Sequence, residues 1–215
     1  MQNAVPPLEG SALALSVVRL DDDRMIAVHD PECDSLLFVF AGSGSLSLDG
    51  ATTALESGAA ALVLAGEEAT LEGPGLALVH ATAGTVPDRH AALGPRETVV
   101  RLDPARTESA VGTRSYQVLL GPHNGSTRAT LFAGFVPPGR APWHYHLYDE
   151  IVWIPEGPGR VHRRGSEEEL AAGSAFRLRP REVHIVENSH PDRELTLLGF
   201  FTPAGSPSAA YLAEA

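Results

Sequence analysis

The segment at positions 139–150 is the most informative of the chain, and it reads Gly139-Arg140-Ala141-Pro142-Trp143-His144-Tyr145-His146-Leu147-Tyr148-Asp149-Glu150. Residues two apart on a β-strand face the same way, so His144 and His146 can present two imidazoles to one point. After a short turn, Glu150 begins an apolar strand on the face that also carries Val152, where an unpaired carboxylate would be costly. A bound cation would offset that cost, and His184, which follows a proline turn, could supply a third imidazole.

The apolar segments elsewhere are short and are bounded by turn residues, since the chain contains 21 glycines and 17 prolines. Such segments predict strands. They lie at 36–40, 59–64, 76–79, 130–136, 150–154 and 195–201. No segment has a long apolar stripe of helical period, and the best helical candidates are the short pieces 167–171 and 208–213. The sequence therefore predicts an all-β sandwich or barrel.

A repeat relates the two halves of the chain. A shift of 115 residues, the difference between positions 34 and 149, places Asp34 on Asp149 without a gap. Four glycines coincide at this shift, namely Gly42 with Gly157, Gly44 with Gly159, Gly50 with Gly165 and Gly58 with Gly173. Glycine marks backbone positions that need positive φ or close approach, so the same turns are expected in both halves. We predict two copies of one β-domain, residues 1–105 and 106–215, joined by a linker within 86–106.

Composition excludes several classes of function. The sixteen basic residues are all arginine and stand against 27 acidic residues, which gives a net charge of −11. This balance argues against binding to nucleic acid or to an anionic membrane surface. Without lysine there is no Schiff-base chemistry and no P-loop. A single cysteine, Cys33, forms no internal disulfide, and no targeting segment is recognisable, so we expect a cytoplasmic protein.

The glycines and prolines around the candidate ligands complete a known pattern. The residues concerned are Gly139, His144, His146, Glu150 and Gly157, followed by Gly173, Pro180, His184 and Asn188. They resemble the two conserved motifs of the cupin superfamily. The sequence departs from the usual motifs in two places. Four residues rather than five separate Gly139 from His144. The spacing from Pro180 to His184 is one residue shorter than usual, and Glu182 stands where a glycine is common.

The resemblance implies two tandem antiparallel jelly-roll barrels, a bicupin, with one divalent transition metal ion held by His144, His146, Glu150 and His184. Iron(II), manganese(II), nickel(II) and zinc(II) remain open as the metal. In the first half, the corresponding positions carry His29, Pro31, Ser35 and Ala69. Only one of these can bind a metal, so the first barrel is expected to be degenerate.

Three functions stay open at this point. An octahedral metal with four protein ligands keeps two open positions, which suit a bidentate oxygen ligand. Family analogy favours an oxidoreductase of dioxygenase type acting on a small molecule. The alternatives are a metal-dependent isomerase or hydrolase of a small polyol or amide, and a non-catalytic module that binds or senses a small ligand.

Three further side chains near the motif are candidates for catalysis: Arg140, Tyr148 and His162. Ile151 and Trp153 form an apolar stripe on the face opposite Glu150, and such a stripe is expected to be buried against another surface. The other barrel or a second chain could provide it, so a homodimer is expected.

Overall fold

The structure is a computed structural model that describes residues 2–5, 11–21, 25–110 and 112–213. It consists almost entirely of antiparallel strands, which confirms the predicted all-β class. Within the described ranges, the helical pieces are two short 3₁₀ turns, Pro104–Arg106 and Pro122–Asn124. None of the described helices is long and apolar enough to cross a bilayer.

The first half forms two sheets. Its strands are β1 (Gln2–Val5), β2 (Leu13–Arg19), β3 (Met25–Val28), β4 (Asp34–Ala41), β5 (Ser43–Leu48), β6 (Ala51–Glu56), β7 (Ala59–Val63), β8 (Ala69–Glu72), β9 (Ala77–Ala83) and β10 (Val99–Arg101). One sheet has the order β1-β2-β9-β4-β7-β10 and the other β3-β8-β5-β6. Apolar side chains from both sheets, such as Leu37 and Leu71, fill the space between them.

The second half repeats this arrangement. Its strands are β11 (Glu108–Ser109), β12 (Ser115–Leu120), β13 (Thr130–Val136), β14 (Gly139–Arg140), β15 (His144–His146), β16 (Asp149–Trp153), β17 (Gly159–Arg163), β18 (Ser166–Leu170), β19 (Ala175–Leu178), β20 (His184–Asn188), β21 (Leu195–Thr202) and β22 (Ala210–Leu212). One sheet has the order β11-β12-β13-β21-β16-β19, and the other β18-β17-β20-β15-β22, with β14 also paired to β20. This sandwich encloses the candidate ligands.

Strand pairing reproduces the sequence repeat. Ser35 lies opposite Val63 in the β4–β7 pair, and Glu150 lies opposite Leu178 in the β16–β19 pair, which is the same pairing shifted by 115 residues. The shift therefore relates equivalent positions in the two folds.

One pair of glycines from the repeat occupies the same hairpin turn in both halves. Gly50 and Gly165 have φ of 77° and 83° in the β5–β6 and β17–β18 hairpins. Because this region is favourable for glycine and costly for most other residues, the two hairpins conserve the same constraint.

Both helical candidates were wrong, because they form the strands β18 and β22. In β18 the three consecutive glutamates do not favour a helix here, since cross-strand partners on β17 stabilise the extended form. Arg160 pairs with Glu169 and Arg163 with Glu168, at 3.3 and 3.5 Å. Tertiary pairing thus overrides a weak local preference.

The two halves share one hydrophobic core. The outward faces of β4 and β16 contribute Leu36 and Phe38 from the first half, and Ile151 and Trp153 from the second. Phe40 also packs on Trp153 across the boundary, with ring centroids 4.9 Å apart. The stripe that suggested a homodimer is therefore covered by the other half of the same chain.

One buried ion pair accompanies this shared core. The Arg177 guanidinium bonds to Asp149 Oδ2 and to Ser11 Oγ, both at 2.6 Å, and donates to the carbonyl of Leu13 at 2.8 Å. The Arg177 side chain is 7% exposed. Because Ser11 and Leu13 belong to the first half, this arginine ties the two sandwiches together.

Candidate functional site

The four candidate ligands lie together inside the second sandwich. His144 and His146 come from β15, Glu150 from β16 and His184 from the start of β20. All four are buried, with 2–6% of their surface exposed. His144 also lies directly opposite His184 in the pairing of β15 with β20. The alternation of side chains along these strands, anticipated from the sequence, directs all four into one cavity.

The three imidazoles are oriented in the same way. In each, Nδ1 donates to a backbone carbonyl two residues away: His144 to Pro142 at 2.8 Å, His146 to Tyr148 at 2.9 Å and His184 to Glu182 at 2.8 Å. We assign the donor role to Nδ1 because a carbonyl can only accept. A neutral imidazole with Nδ1 protonated has its lone pair on Nε2. The same backbone bonds therefore leave three Nε2 atoms available as ligands.

The polar groups are close neighbours. The ring of His184 has its centroid 4.4 Å from that of His144 and 5.1 Å from that of His146. Nε2 of His146 lies 2.9 Å from Glu150 Oε2 but has no well-aligned hydrogen bond, so it is a buried nitrogen without a satisfied partner. Among the described residues, no three His, Cys, Asp or Glu side chains surround a common point at coordination distance.

Burial sets the protonation of these groups. Burial, followed by the smaller effects of His184 and Arg114, lowers the pKa of His144 to about 3, and burial is also the main cause that lowers the pKa of His184 to about 3. For His146, burial also opposes protonation, but the Glu150 carboxylate outweighs it and raises the pKa. His144 and His184 are therefore neutral near pH 7, the form in which imidazole binds a metal.

The remaining cavity wall is mostly apolar, with side chains such as Phe132, Val152 and Leu197. Sequence reasoning missed several of the lining residues, among them Arg114 and Ala210. Arg114, just before β12, has Nη1 3.4 Å from His144 Nε2, and Ala210 of β22 also lines the cavity. Both lie outside the motifs, and no spacing in the sequence relates them to the histidines.

Tyr148, one of the three side chains predicted to take part in catalysis, lines the cavity. Its ring stacks on His146 with centroids 4.1 Å apart and on Phe201 at 4.0 Å. Its hydroxyl donates to the carbonyl of Pro207 at 3.3 Å. Burial raises the pKa of this phenol well above its usual range. The residue therefore stays protonated and packs a candidate ligand against the barrel wall.

Arg140 and His162 do not reach the cavity, which corrects their expected place in the site. Both lie on the outer face of the sheet and share the carboxylate of Glu187, at 2.9 and 2.6 Å. The reason is strand alternation: His162 points opposite to Val161, which packs in the interior, and Glu187 points opposite to Val186. These two residues form an ion-pair network on the outer face.

The first sandwich has no comparable set at the equivalent positions. His29 is exposed and its Nδ1 bonds to the carbonyl of Glu67 at 2.9 Å. Ser35, at the position of Glu150, is buried and contacts His80 Nε2 at 2.9 Å. Ala69, at the position of His184, joins the apolar interior. The set of candidate ligands thus lies in the second half.

Comparison with known proteins agrees with this architecture. The family model described as a cupin domain matches residues 132–201, which include all four candidate ligands. No curated protein sequence matches the chain.

Solved structures resemble nearly the whole chain. The crystal structure of AerE from Microcystis aeruginosa has a TM-score of 0.73 at 14% identity, covering 89% of this chain and 88% of that one. A point mutant of the oxalate decarboxylase OxdC from Bacillus subtilis has a TM-score of 0.73 at 14% identity, covering 95% of this chain and 72% of that one.

A third similar structure is a point mutant of the salicylate 1,2-dioxygenase from Pseudoaminobacter salicylatoxidans, in complex with gentisate. Its TM-score is 0.71 at 10% identity, covering 89% of this chain and 69% of that one. At these identities the likeness establishes the fold. The chain therefore shares the two-sandwich fold of these structures, and its residues 132–201 are similar to a cupin domain.

Proposed function

We propose that the second half holds one divalent transition metal ion through His144, His146, Glu150 and His184, and that the protein is a metal-dependent enzyme acting on a small molecule. The observation that carries the proposal is the shared orientation of three buried imidazoles, each fixed through Nδ1 by a backbone carbonyl. The unsatisfied Nε2 of His146 beside Glu150 supports it. Imidazole and carboxylate ligands suit iron, manganese, nickel or zinc.

The chain's own residues have distinct parts in this proposal. The backbone carbonyls of Pro142, Tyr148 and Glu182 hold the imidazoles in one tautomer. The apolar wall limits the access of water and strengthens electrostatic interactions within the cavity. The metal would supply Lewis acidity and open coordination positions for oxygen ligands.

For the reaction class, we favour an oxidoreductase of dioxygenase type. The support comes from the fold neighbours, which include a dioxygenase and an oxalate decarboxylase studied for its Mn(II) centres. The same imidazole and carboxylate ligands would also serve an isomerase, a hydrolase or a ligand-binding module. The activity test below therefore has to distinguish these three from a dioxygenase.

The first experiment is elemental analysis of protein purified without chelator. We expect about one equivalent of metal per chain, and loss of most of it in His146→Ala and Glu150→Ala, because removal of a ligand, like that of the groups supporting it, should cost at least about 10-fold in affinity. His29→Ala is the matched control, since His29 occupies the position equivalent to His144. Equal losses from His29→Ala, or wild-type protein that accepts no metal, would refute the site.

The second experiment tests the reaction class. Oxygen uptake by iron(II)-loaded protein should be measured with catechol-like, diketone and sugar substrates. Uptake that depends on the substrate supports a dioxygenase. Product formation without oxygen uptake points to an isomerase or hydrolase, whereas ligand-dependent thermal shifts without turnover identify a binding module.

A further inference from the structure

An open cleft outside the interior of the second sandwich is rich in arginine. It has a volume of about 620 Å³ and lies at the end of β19 and the turn that follows this strand. The residues that line it are Arg177, Arg179, Pro180, Arg181 and Glu182. Pockets that hold small organic ligands have volumes of roughly 300–1,000 Å³, so the cleft has room for such a molecule.

The turn after β19 presents two of these arginines. The amide of Glu182 donates to the carbonyl of Arg179 at 3.0 Å, and the Glu182 carboxylate accepts from the amide of Arg179 at 2.9 Å. Between them, the amide of Arg181 donates to the carbonyl of His146 at 2.7 Å. Three hydrogen bonds thus fix the backbone of the turn, while the side chains of Arg179 and Arg181 are exposed.

Arg181 has an unfavourable backbone conformation. Its φ is 66°, at the third position of a turn whose second residue is Pro180. Turns of this kind favour glycine or asparagine at the third position, because a larger side chain brings Cβ too close to the next carbonyl. The other described non-glycine residue with positive φ is Asp49, a type that tolerates this region. An arginine kept here indicates a role for its side chain other than stability.

Two of the four charged groups that line the cleft are already paired. The Arg177 guanidinium bonds to Asp149 Oδ2 at 2.6 Å, and the Glu182 carboxylate accepts from Arg163 Nε at 2.9 Å. The Arg177 side chain is nevertheless 93% buried with one donor unsatisfied, since its Nε–H has no hydrogen-bond partner among the described residues.

The remaining positive charges belong to Arg179 and Arg181. Neither guanidinium has an ion pair or a hydrogen bond within the described part of the chain, so the cleft carries two uncompensated positive charges. The whole chain has a net charge of −11, which makes this surface a local exception. Two guanidiniums match a ligand with two negative charges, and a phosphate monoester carries about 1.5–2 at neutral pH.

We propose that this cleft binds small phosphate monoesters, and that Arg179 and Arg181 hold the phosphoryl group. The N–H donors of a guanidinium match phosphate oxygens in pairs, which makes this group the natural counterpart. The volume of the cleft leaves room for an organic group beside the phosphoryl group. The candidate metal ligands do not line the cleft, so this inference does not rest on the proposed function.

The test uses glucose 6-phosphate, glucose 6-sulfate and inorganic phosphate as probes of the full chain, in isothermal titration calorimetry at low ionic strength. We expect glucose 6-phosphate to bind at least about 5-fold more tightly than glucose 6-sulfate, because the sulfate ester carries one charge instead of two. Inorganic phosphate should bind more weakly than glucose 6-phosphate, since it leaves the rest of the cleft empty. Added salt should weaken the binding, because the arginines are exposed.

The variant Arg181→Asn separates binding from stability, because asparagine tolerates positive φ better than arginine does. It should unfold at the same temperature as wild type or a higher one, while its affinity for glucose 6-phosphate falls about 5-fold or more. Arg179→Ala should lose a similar factor, and the double variant should show no measurable binding. Arg101→Ala is the matched control, since it removes an exposed arginine from the first half and should bind as wild type does.

The outcomes that would overturn the proposal are distinct from failure of the metal site. Wild type that binds no glucose 6-phosphate, or that binds both esters or inorganic phosphate equally well, would contradict the assigned ligand class. Wild-type affinity in the double variant would contradict the assigned residues. His146→Ala should keep the affinity for glucose 6-phosphate, and a loss in this variant alone would place the phosphoryl group at the metal instead. Protein that takes up no metal but binds the ester through Arg179 and Arg181 would leave this site standing.

Discussion

The candidate ligands are held by backbone carbonyls and by side chains, and only the side-chain contacts can be removed by mutation. The carbonyls that accept from the imidazoles belong to the backbone and survive most side-chain changes. Tyr148 is the exception, because its ring stacks on His146 while its hydroxyl reaches Pro207. Ring and hydroxyl can therefore be tested separately.

We expect Tyr148→Ala to weaken metal binding by about 10-fold or more, since loss of supporting contacts usually costs this much. Tyr148→Phe keeps the stacked ring and should bind metal almost as wild type does. Competition with a chelator measures both affinities. Equal losses in the two variants would assign the effect to the hydroxyl instead of the ring.

His80 lies on β9, where its Nε2 contacts Ser35 Oγ at 2.9 Å. Burial lowers its pKa to about 4, compared with an ordinary value of 6.5, so the native state leaves it neutral where the unfolded chain binds a proton. Stability attributable to this group should therefore be complete above pH 6.5 and fall as the pH drops toward 4. In His80→Gln the free energy of unfolding, from denaturant titration, should depend less steeply on pH across that window. Identical slopes for variant and wild type would contradict the prediction.

The sequence predicted that the four candidate ligands face one interior, and all four line the same cavity. His144, His146 and Glu150 are close in the chain, so strand alternation alone predicts which way they point. Arg114 could not be found in this way, because its approach to His144 depends on how a distant hairpin closes the barrel. Arg140 and His162 were misplaced because proximity in sequence does not distinguish the two faces of a sheet.

Among the elements, β22 is distinctive because it pairs with β15, the strand that carries two candidate ligands. His146 lies opposite Ala210, and His144 lies opposite Leu212. Sequence patterning offered no sign of this strand, since its stability comes from a partner more than 60 residues away. Short edge strands of this kind are weak in isolation.

Removal of residues 206–215 should expose the cavity without unfolding the sandwich. We expect the truncated protein to lose bound metal to a chelator faster than the full chain, while its unfolding remains cooperative. Stopped-flow measurement of metal release with a chromophoric chelator checks this. Equal release rates would show that β22 does not limit access to the cavity.

For the whole molecule, the shared core and the Arg177 ion pair join the two sandwiches into one unit. The repeat predicted two related folds, and the matched strand registers bear out that relation. The sequence left open whether the first fold or a second chain covers the stripe of Ile151 and Trp153. An apolar stripe does not specify whether its partner belongs to the same chain.

Arg177→Ala should destabilise the protein by about 3–5 kcal/mol, because it leaves the carboxylate of Asp149 poorly compensated in a largely buried place. Arg179→Ala is the matched control: Arg179 lies two residues further along the chain at an exposed position, where a change should stay within about 0.5 kcal/mol. Denaturant unfolding followed by circular dichroism gives both values. A similar cost for the two variants would argue against the inter-half role of Arg177.

Alternate side chains of β4 pack into two different cores. Leu37 faces the interior of the first sandwich, whereas Leu36 and Phe38 support the second. One face of this strand therefore stabilises its own sandwich, and the other face stabilises the junction with the second half. A mutational library of the first half should therefore show intolerance to polar substitutions at successive positions of this strand, because its side chains are buried on both faces.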